Sequence, residues 1–258
     1  MLKGLYTAYT GMLNEQNRMD IMTNNLANAS TVGFKKEGST SQSFDSVLAY
    51  KLKDSSVGLA CREHIGANTP GVKIGENYTD YSQGSFRVTG NTYDLALTDS
   101  GFFAIEFTNK AGETSTKYTR AGNFTLNKDG YLVTNDGDYL LDTANKRIQL
   151  DPLKDAAILT DGTITQDGRE IAQIQITDFE NYDYLSRYGE TYFEPAEGAR
   201  IIASRAEVQS GYLEMANVQV VSEMVNMISI TRQYESNQKI LQTYDSSLEI
   251  AVKDIGKL

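Results

Sequence analysis

The sequence predicts an α+β protein, with long N- and C-terminal α-helices forming a coiled-coil-like inner layer plus an all-β middle domain. Three observations support this prediction. Apolar residues recur at alternating steps of three and four near the start of the chain, and a seven-residue repeat runs through its C-terminal segment. Between these segments, Asp-Gly pairs alternate with strand-forming residues. The periodicity therefore changes from helix to strand and back along the chain.

The N-terminal segment carries a heptad row that predicts one long helix. The row consists of Leu2, Leu5, Tyr9, Met12, Gln16, Met19, Thr23 and Leu26. We expect the helix to end near Asn28, because Asn tolerates left-handed backbone geometry and Gly33 offers a further turn. At a rise of ~1.5 Å per residue, such a helix extends about 40 Å.

The C-terminal segment carries a second, longer heptad row. Its first positions are Val220, Met227, Tyr234, Leu241, Leu248 and Ile255, and the expected companion positions are Met224, Thr231, Gln238, Asp245 and Val252. Neither Pro nor Gly interrupts residues 212–255, which predicts a helix of roughly 60 Å. Ordinary amphipathic helices packed on their own domain are the alternative. Polar residues within both rows specify register and favour packing between neighbouring molecules.

The pattern divides the chain into four segments. We expect an N-terminal helix and extended arm at 1–43, a variable linker or extension at 44–77, a β-rich outer domain at 78–206 and a C-terminal long helix at 207–258. Asp-Gly pairs at 129, 136, 161 and 167 predict tight hairpins in the outer domain. The Tyr-rich stretch at 178–199 is expected to pack in the local core, with a partner surface as the alternative.

The composition excludes several functions. Lys and Arg number 24 against 34 Asp and Glu, a formal charge of −10, so no nucleic acid binding is expected. The ends of the chain are nearly neutral, and most of the negative charge lies in the middle. No run of 18 apolar residues occurs, so no membrane insertion is expected. Cys61 is the single thiol, which excludes an internal disulfide.

No catalytic residue, cofactor or metal site is predicted. Cys61 and His64 could form a nucleophile pair, but a surface loop is favoured for both. The acidic residues between 129 and 142 do not follow the spacing of a twelve-residue calcium loop, so hairpin turns are favoured. A glycosidase-type carboxylate pair stays open, because pairing in space is invisible in the sequence.

Several stretches resemble the signatures of bacterial flagellar rod and hook proteins. Residues 24–35 read Asn-Asn-Leu-Ala-Asn-Ala-Ser-Thr-Val-Gly-Phe-Lys and fill every fixed position of the N-terminal signature of that family. Further resemblance lies at 89–96, 101–103, 118–124, 210–218, 223–228 and 232–237. The chain is therefore identified as a member of the flagellar basal-body rod protein family. The distal rod protein is favoured over its close proximal-rod paralogue or a hook-type axial protein.

The resemblance implies a structural subunit and no enzyme. In this family, the terminal helices polymerise into a tubular drive shaft that transmits motor torque to the hook, and the β domain lies outside them. The implied partners are further copies of the chain in a helical homopolymer, other axial proteins of the rod and hook, the flagellar export apparatus and the ring bushings. The implied location is the basal body, outside the cytoplasmic membrane after type III export.

Subunit contacts are expected along both rows and at the end of the first helix. The expected interface residues are Leu2, Leu5, Tyr9, Met12, Met19, Leu26, Asn28, Gly33, Phe34, Val220, Met224, Met227, Tyr234, Leu241, Leu248 and Val252. A secreted adhesin or enzyme built on the β domain is one alternative. A needle-complex or translocator component is another, although it should lack the signature at 28–35.

Overall fold

The computed structural model describes residues 2–52, 62–69, 71–110 and 112–256 and shows an α+β protein with a helix at each end. The chain divides into two compact units. The helical unit comprises Met1–Leu26, Glu37–Asp80 and Gln219–Leu258, and the β unit comprises Ala27–Lys36 and Tyr81–Val218. The prediction of terminal helices around a β-rich middle is confirmed.

Two long helices dominate the helical unit. α1 spans Leu2–Ala27 and ends where the sequence predicted, while α2 spans Val220–Ile255. At ~1.5 Å per residue these helices extend about 39 and 54 Å. α2 begins later than the predicted segment 207–258, because residues 208–214 form strands of the β unit. Within the described ranges, neither helix combines sufficient length with sufficient apolar character to cross a bilayer.

Between residues 37 and 79, the described ranges 37–52, 62–69 and 71–79 contain paired strands where the sequence predicted an arm and a linker. The strands are β1 (Glu37–Ser43), β2 (Val47–Leu52), β3 (Arg62–Asn68) and β4 (Val72–Thr79). β1 pairs with β4 and β2 pairs with β3, both antiparallel. β1 is polar along its whole length, so it lacks the apolar alternation by which strands are recognised. His64 lies in β3 instead of the expected loop, and Cys61 lies outside the described residues.

The β unit contains sixteen further strands within the described residues. They are β5 (Phe86–Val88), β6 (Leu95–Leu97), β7 (Phe102–Thr108), β8 (Thr114–Thr119), β9 (Thr125–Leu126), β10 (Leu132–Val133), β11 (Tyr139–Leu140), β12 (Ala156–Ile158), β13 (Thr163–Gln166), β14 (Arg169–Gln173), β15 (Ile176–Phe179), β16 (Leu185–Tyr188), β17 (Tyr192–Pro195), β18 (Ile201–Ala203), β19 (Val208–Ser210) and β20 (Tyr212–Glu214).

Most of these strands form one antiparallel sheet. Its main path runs β16-β17-β8-β7-β11-β10-β9, and β15 pairs with both β7 and β18. β12, β13 and β14 form a three-stranded sheet, while β6 pairs with β19 and β5 pairs with β20. The last two pairings bring the segment before α2 back to the start of the β unit.

Both faces of β7 are buried, so the strand separates two hydrophobic cores. Phe103 and Ile105 belong to one core, while Phe102 and Ala104 belong to the other. This division follows from the alternation of side chains along a strand. Tyr192 joins the first core and Phe193, next to it in β17, joins the second. Within the Tyr-rich stretch, Tyr192 and Tyr182 pack in these cores as predicted, whereas Tyr184 and Tyr188 are 46% and 40% exposed.

The Asp-Gly pairs form turns, as predicted. Gly130, Gly137, Gly162 and Gly168 have φ of 81°, 95°, 83° and 73°, in the left-handed region that glycine adopts without a steric penalty. Within the described residues, no group of three or more His, Cys, Asp or Glu is arranged to hold a metal ion.

Candidate functional site

α1 and α2 approach each other closely at two glycines of α1. A Cβ atom added at Gly4 would collide with the hydroxyl of Tyr244, and one at Gly11 would lie 3.1 Å from Nδ2 of Asn237. Residue numbers rise along α1 while they fall along α2, so the two helices run antiparallel. The contacts lie one heptad apart on each helix, which is the spacing that keeps one face of each helix in register with its partner.

The covered face of α2 also follows a heptad repeat. Its buried and half-buried residues are Glu223, Met227, Ile230, Tyr234, Asn237, Leu241, Tyr244, Leu248 and Ala251, and the predicted companion Thr231 is half-buried beside them. The predicted row at 227, 234, 241 and 248 therefore lies on the same face as the residues that contact α1. The predicted companions Met224 and Val252 do not, and both are exposed, as is Val220 at the helix start. The second row of this face, at 230, 237, 244 and 251, therefore follows the first row by three residues, whereas the sequence predicted four.

The covered face of α1 is broader than its predicted row. Ala8, Asn14 and Ile21 are buried, while four predicted residues are half-buried. Those four are Leu5, Met12, Met19 and Leu26. Tyr9 is 48% exposed, and the side chain of Leu2 lies outside the described residues.

Two groups of apolar side chains remain exposed on the helices. Tyr6, Tyr9 and Leu13 form the α1 apolar face, at steps of three and four that place them on one side of the helix. Val221, Met224, Val225 and Ile228 form the α2 apolar stripe and are 76%, 49%, 61% and 55% exposed. Contiguous exposed apolar surface of this kind is typical of sites that bind another protein.

The end of α1 is tied to β1 by Asn25. Its Nδ2 donates a hydrogen bond to the Glu37 carbonyl at 2.7 Å, and its Oδ1 accepts one from the Glu37 N–H at 2.9 Å. Asn25 is fully buried. The side-chain amide therefore pairs with the backbone of Glu37 as a neighbouring strand would, which fixes where β1 begins relative to the helix.

The signature residues after α1 are buried inside the β unit. Gly33 has φ of 70°, and its N–H donates to the Glu214 carbonyl at 2.8 Å. An added Cβ at Gly33 would collide with the backbone of Ala121, so only glycine fits there. Phe34 is buried with the guanidinium carbon of Arg187 4.4 Å from its ring centroid, and Asn28 is buried too.

These three positions differ from the expectation for them. Asn28, Gly33 and Phe34 were expected at the subunit interface, but the subunit itself already covers them. Asn28 and Phe34 keep 7% and 1% of their surface exposed, so little of either is available to a sister molecule. Within the subunit, these residues hold the connecting segment, residues 28–36, on the β unit.

A buried ion cluster lies beside this segment. Lys35 Nζ is 2.7 Å from Glu214 Oε1 and 2.8 Å from the Ser82 carbonyl, while Arg120 Nη1 is 3.3 Å from Glu214 Oε2. The N–H of Gly84 donates to Glu214 Oε1 at 3.0 Å. Lys35 and Glu214 are each 1% exposed. Buried charges are costly unless they are paired and hydrogen-bonded. Each charge of the cluster has an oppositely charged partner, although Nε of Arg120 makes no hydrogen bond to any described residue.

The sequence interpretation missed this cluster, although a signal was present. Arg120 stands between Thr119 and Ala121, and Glu214 between Leu213 and Met215, in stretches that otherwise read as buried strand. A charged residue in such a context indicates a buried ion pair. Its partner cannot be read from the sequence, because Lys35 and Glu214 are 179 positions apart.

The acidic turn between β10 and β11 carries a second polar cluster. The Tyr192 hydroxyl lies 3.0 Å from Asp136 Oδ2 and 2.9 Å from Asp138 Oδ2. Burial raises the pKa of Asp138, and burial likewise raises the pKa of Tyr192. This turn lines a cavity of about 460 Å³ together with Val32 of the signature segment. The Tyr192 hydrogen bonds fix the turn to β17 and explain why these acidic residues lie together.

Three family profiles match the chain in the order that the structure shows. The one described as Flagella basal body rod protein matches residues 5–35, which cover most of α1 and the connecting segment. The one described as Flagellar hook protein FlgE/F/G D1 domain matches 96–169 in the β unit. The one described as Flagellar basal body rod FlgEFG protein C-terminal matches 209–253, through β20 and α2.

Whole-length relatives agree with these profiles. The flagellar basal-body rod protein FlgG of Bacillus subtilis is 34% identical over 96% of this chain and 97% of that protein. The flagellar hook-basal body complex protein FlhO of the same organism is 30% identical over 100% of both chains. The flagellar basal-body rod protein FlgF of Mesorhizobium japonicum is 29% identical over 99% of both. The chain belongs to the flagellar basal-body rod protein family.

Proposed function

We propose that the chain is a structural subunit of the flagellar rod that polymerises through the exposed faces of α1 and α2. The observation that carries this proposal is the α2 apolar stripe, whose four side chains are about half to three-quarters exposed. Burying a large aliphatic side chain completely contributes roughly 1.5 to 3 kcal/mol, so covering the remainder of the stripe would contribute about 4 to 7 kcal/mol per subunit. In the free subunit the stripe stays exposed to water, so this stabilisation is gained only when another molecule covers it.

The stripe and the α1 apolar face differ in residues and lie on different helices, so a contact between them is heterologous. Heterologous contacts that do not close on themselves generate open helical filaments. The antiparallel pair of α1 and α2 supplies a rigid rod-shaped element for such a filament. Side-by-side packing of these pairs is the inner helical layer that we propose, with the β unit outside it.

Family membership supports association with other axial proteins of the rod and hook, as well as torque transmission between them. We propose in addition that the subunit passes through the flagellar export apparatus and contacts the ring bushings. We favour the distal rod, because the FlgG of Bacillus subtilis is more similar to this chain than the FlgF of Mesorhizobium japonicum. The chain and that FlgG cover each other almost completely, which favours a rod protein over a hook protein with an added outer domain.

The test is Val225→Asp, compared with Ile171→Asp. Both residues are exposed, but Val225 lies in the stripe and Ile171 lies in β14 of the β unit. In a strain that carries only the variant, we expect Val225→Asp to abolish swimming and rod assembly while Ile171→Asp leaves both intact. The circular dichroism and thermal melting of both purified subunits should match those of the wild type. Normal rods built from Val225→Asp would refute the proposal.

Leu241→Asp separates contacts within the subunit from contacts between subunits. Leu241 is half-buried on the face of α2 that contacts α1. A carboxylate there would disrupt the helix pair in the free subunit, so we expect lower helical stability before any assembly takes place. Val225→Asp should lack this effect, because its side chain faces solvent in the free subunit.

A further inference from the structure

The ion cluster lies in the β unit, near residues at which the chain enters or leaves that unit. The chain passes between the two units four times: after Leu26, after Lys36, after Asp80 and after Val218. Three of these passages are bordered, on the side of the β unit, by residues of the cluster or its neighbours. Those residues are Lys35 and Lys36, Ser82 and Gly84, and Glu214 and Asn217.

Hydrogen bonds join the three bordering segments to one another. Lys35 Nζ binds both Glu214 and the Ser82 carbonyl. The Lys36 N–H donates to Asn217 Oδ1 at 2.7 Å, and Asn217 Nδ2 donates to the Ser82 carbonyl at 3.1 Å. The three segments are therefore cross-connected by side chains and do not rely on strand pairing alone.

The three charged residues of the cluster differ in their contacts with one another. Glu214 contacts two cations, Lys35 and Arg120. Removal of Glu214 takes the shared carboxylate from both cations, whereas removal of Lys35 leaves the Arg120–Glu214 pair intact. Arg120 also donates to the Asp99 carbonyl at 2.7 Å, which holds it within the β unit independently of Lys35. Lys35 is thus the member that ties the connecting segment to the pair.

We propose that Lys35 and Glu214 are positioning residues that clamp the three connecting segments into one fixed base. Replacing a buried ion pair by apolar residues often leaves stability unchanged, so the gain from such a pair lies in a defined geometry more than in stability. This inference rests on the proposed function, because a rod that transmits torque needs its subunits to hold their chains in one arrangement. The clamp fixes the ends of these segments on the β unit in the same way in every subunit of the polymer.

The test compares Lys35→Met with Lys154→Met in the full chain. Methionine keeps the length of the side chain and removes its charge. Lys154 is a half-exposed surface residue with Nζ 2.8 Å from Asp167, so its replacement is the matched control. Hydrogen–deuterium exchange is measured on the free subunit for the amides of Gly33 and Lys36, whose acceptors lie on Glu214 and Asn217.

We expect Lys35→Met to speed exchange at Gly33 and Lys36 at least tenfold and to leave β7 unchanged, while Lys154→Met changes neither. Asn217→Ala removes an uncharged part of the same network and should also speed exchange at Lys36. Unchanged exchange at these amides in Lys35→Met would overturn the clamp. Faster exchange throughout β7 would overturn it too, because the cluster would then support the fold as a whole.

Swimming of a strain carrying Lys35→Met tests the mechanical part separately. We expect normal export of the subunit and reduced swimming compared with the Lys154→Met strain. Fast exchange at Gly33 and Lys36 together with wild-type swimming would overturn the role in torque transmission while leaving the rod assignment intact. Failure of the rod assignment itself would appear in the Val225→Asp experiment and would not alter exchange in the free subunit.

Discussion

Asn25 offers the sharpest test of how the end of α1 is connected to the strands that follow it. Asn25→Ala removes both hydrogen bonds to the backbone of Glu37 from a fully buried position. Each buried polar group that loses its partner costs about 1 to 3 kcal/mol. Local opening of the α1–β1 connection should therefore become about 2 to 6 kcal/mol easier. Since ~1.4 kcal/mol corresponds to tenfold in an equilibrium constant, exchange should accelerate at least about 30-fold and at most about 20,000-fold.

The assay is hydrogen–deuterium exchange at the Glu37 amide, under conditions where exchange follows the equilibrium population of the open form. Asn226→Ala on the exposed side of α2 is the matched control and should change exchange at Glu37 by less than about threefold, as expected of a surface substitution. Amides of β7 belong to the other unit and should be unaffected in both variants. Exchange at Glu37 that is equal in Asn25→Ala and Asn226→Ala would refute the reasoning.

Two further predictions concern the β unit. Phe193→Ala should lower the free energy of unfolding of the β unit by about 3 to 5 kcal/mol in urea titrations, because Phe193 is fully buried. The ring centroids of Phe102 and Tyr81 lie 5.3 and 5.5 Å from that of Phe193. Leu153→Ala, at a 95% exposed position, is the control and should change this free energy by less than about 0.5 kcal/mol. Burial raises the pKa of Tyr182 to about 12, aided by its hydrogen bond to Asp178, so the native state retains a proton that the unfolded state loses above pH 10. The contribution of Tyr182 to stability is full below pH 10 and decreases as the pH rises towards 12. In an absorbance titration at alkaline pH, the step near pH 12 should be lost in Tyr182→Phe, and a step that persists would contradict the assignment.

The sequence predicted the end of α1 and the hairpins of the β unit, because both depend on residues that are neighbours in the chain. α1 ends at Ala27, next to the predicted Asn28, because backbone preferences there are set by neighbouring residues. The hairpins of the β unit follow their Asp-Gly pairs for the same reason. β1 was missed because a two-stranded ribbon with polar side chains needs no apolar alternation to form. Its pairing with β4 depends on residues that lie 29 to 42 positions away, from Ser43↔Val72 to Glu37↔Thr79.

The helix faces were predicted only in part, for a geometric reason. A seven-residue repeat fixes one row on a helix but leaves open whether the second row follows by three or by four residues. The apolar Met224 and Val252 suggested four, whereas the covered face of α2 uses Ile230, Tyr244 and Ala251, which follow by three. Met224 thereby joins the exposed stripe. The ion cluster was missed for another reason, since its members meet only through the tertiary fold.

The central claim is that the α2 apolar stripe contacts a sister molecule in the assembled rod. Site-specific photocrosslinking tests it most directly, with a photoreactive amino acid at Ile228 in the stripe and, as a control, at Glu170 on the exposed side of β14. In purified basal bodies, we predict covalent dimers of this chain from position 228 and none from position 170. Basal bodies that contain the subunit but yield no dimers or adducts from position 228 would contradict the account.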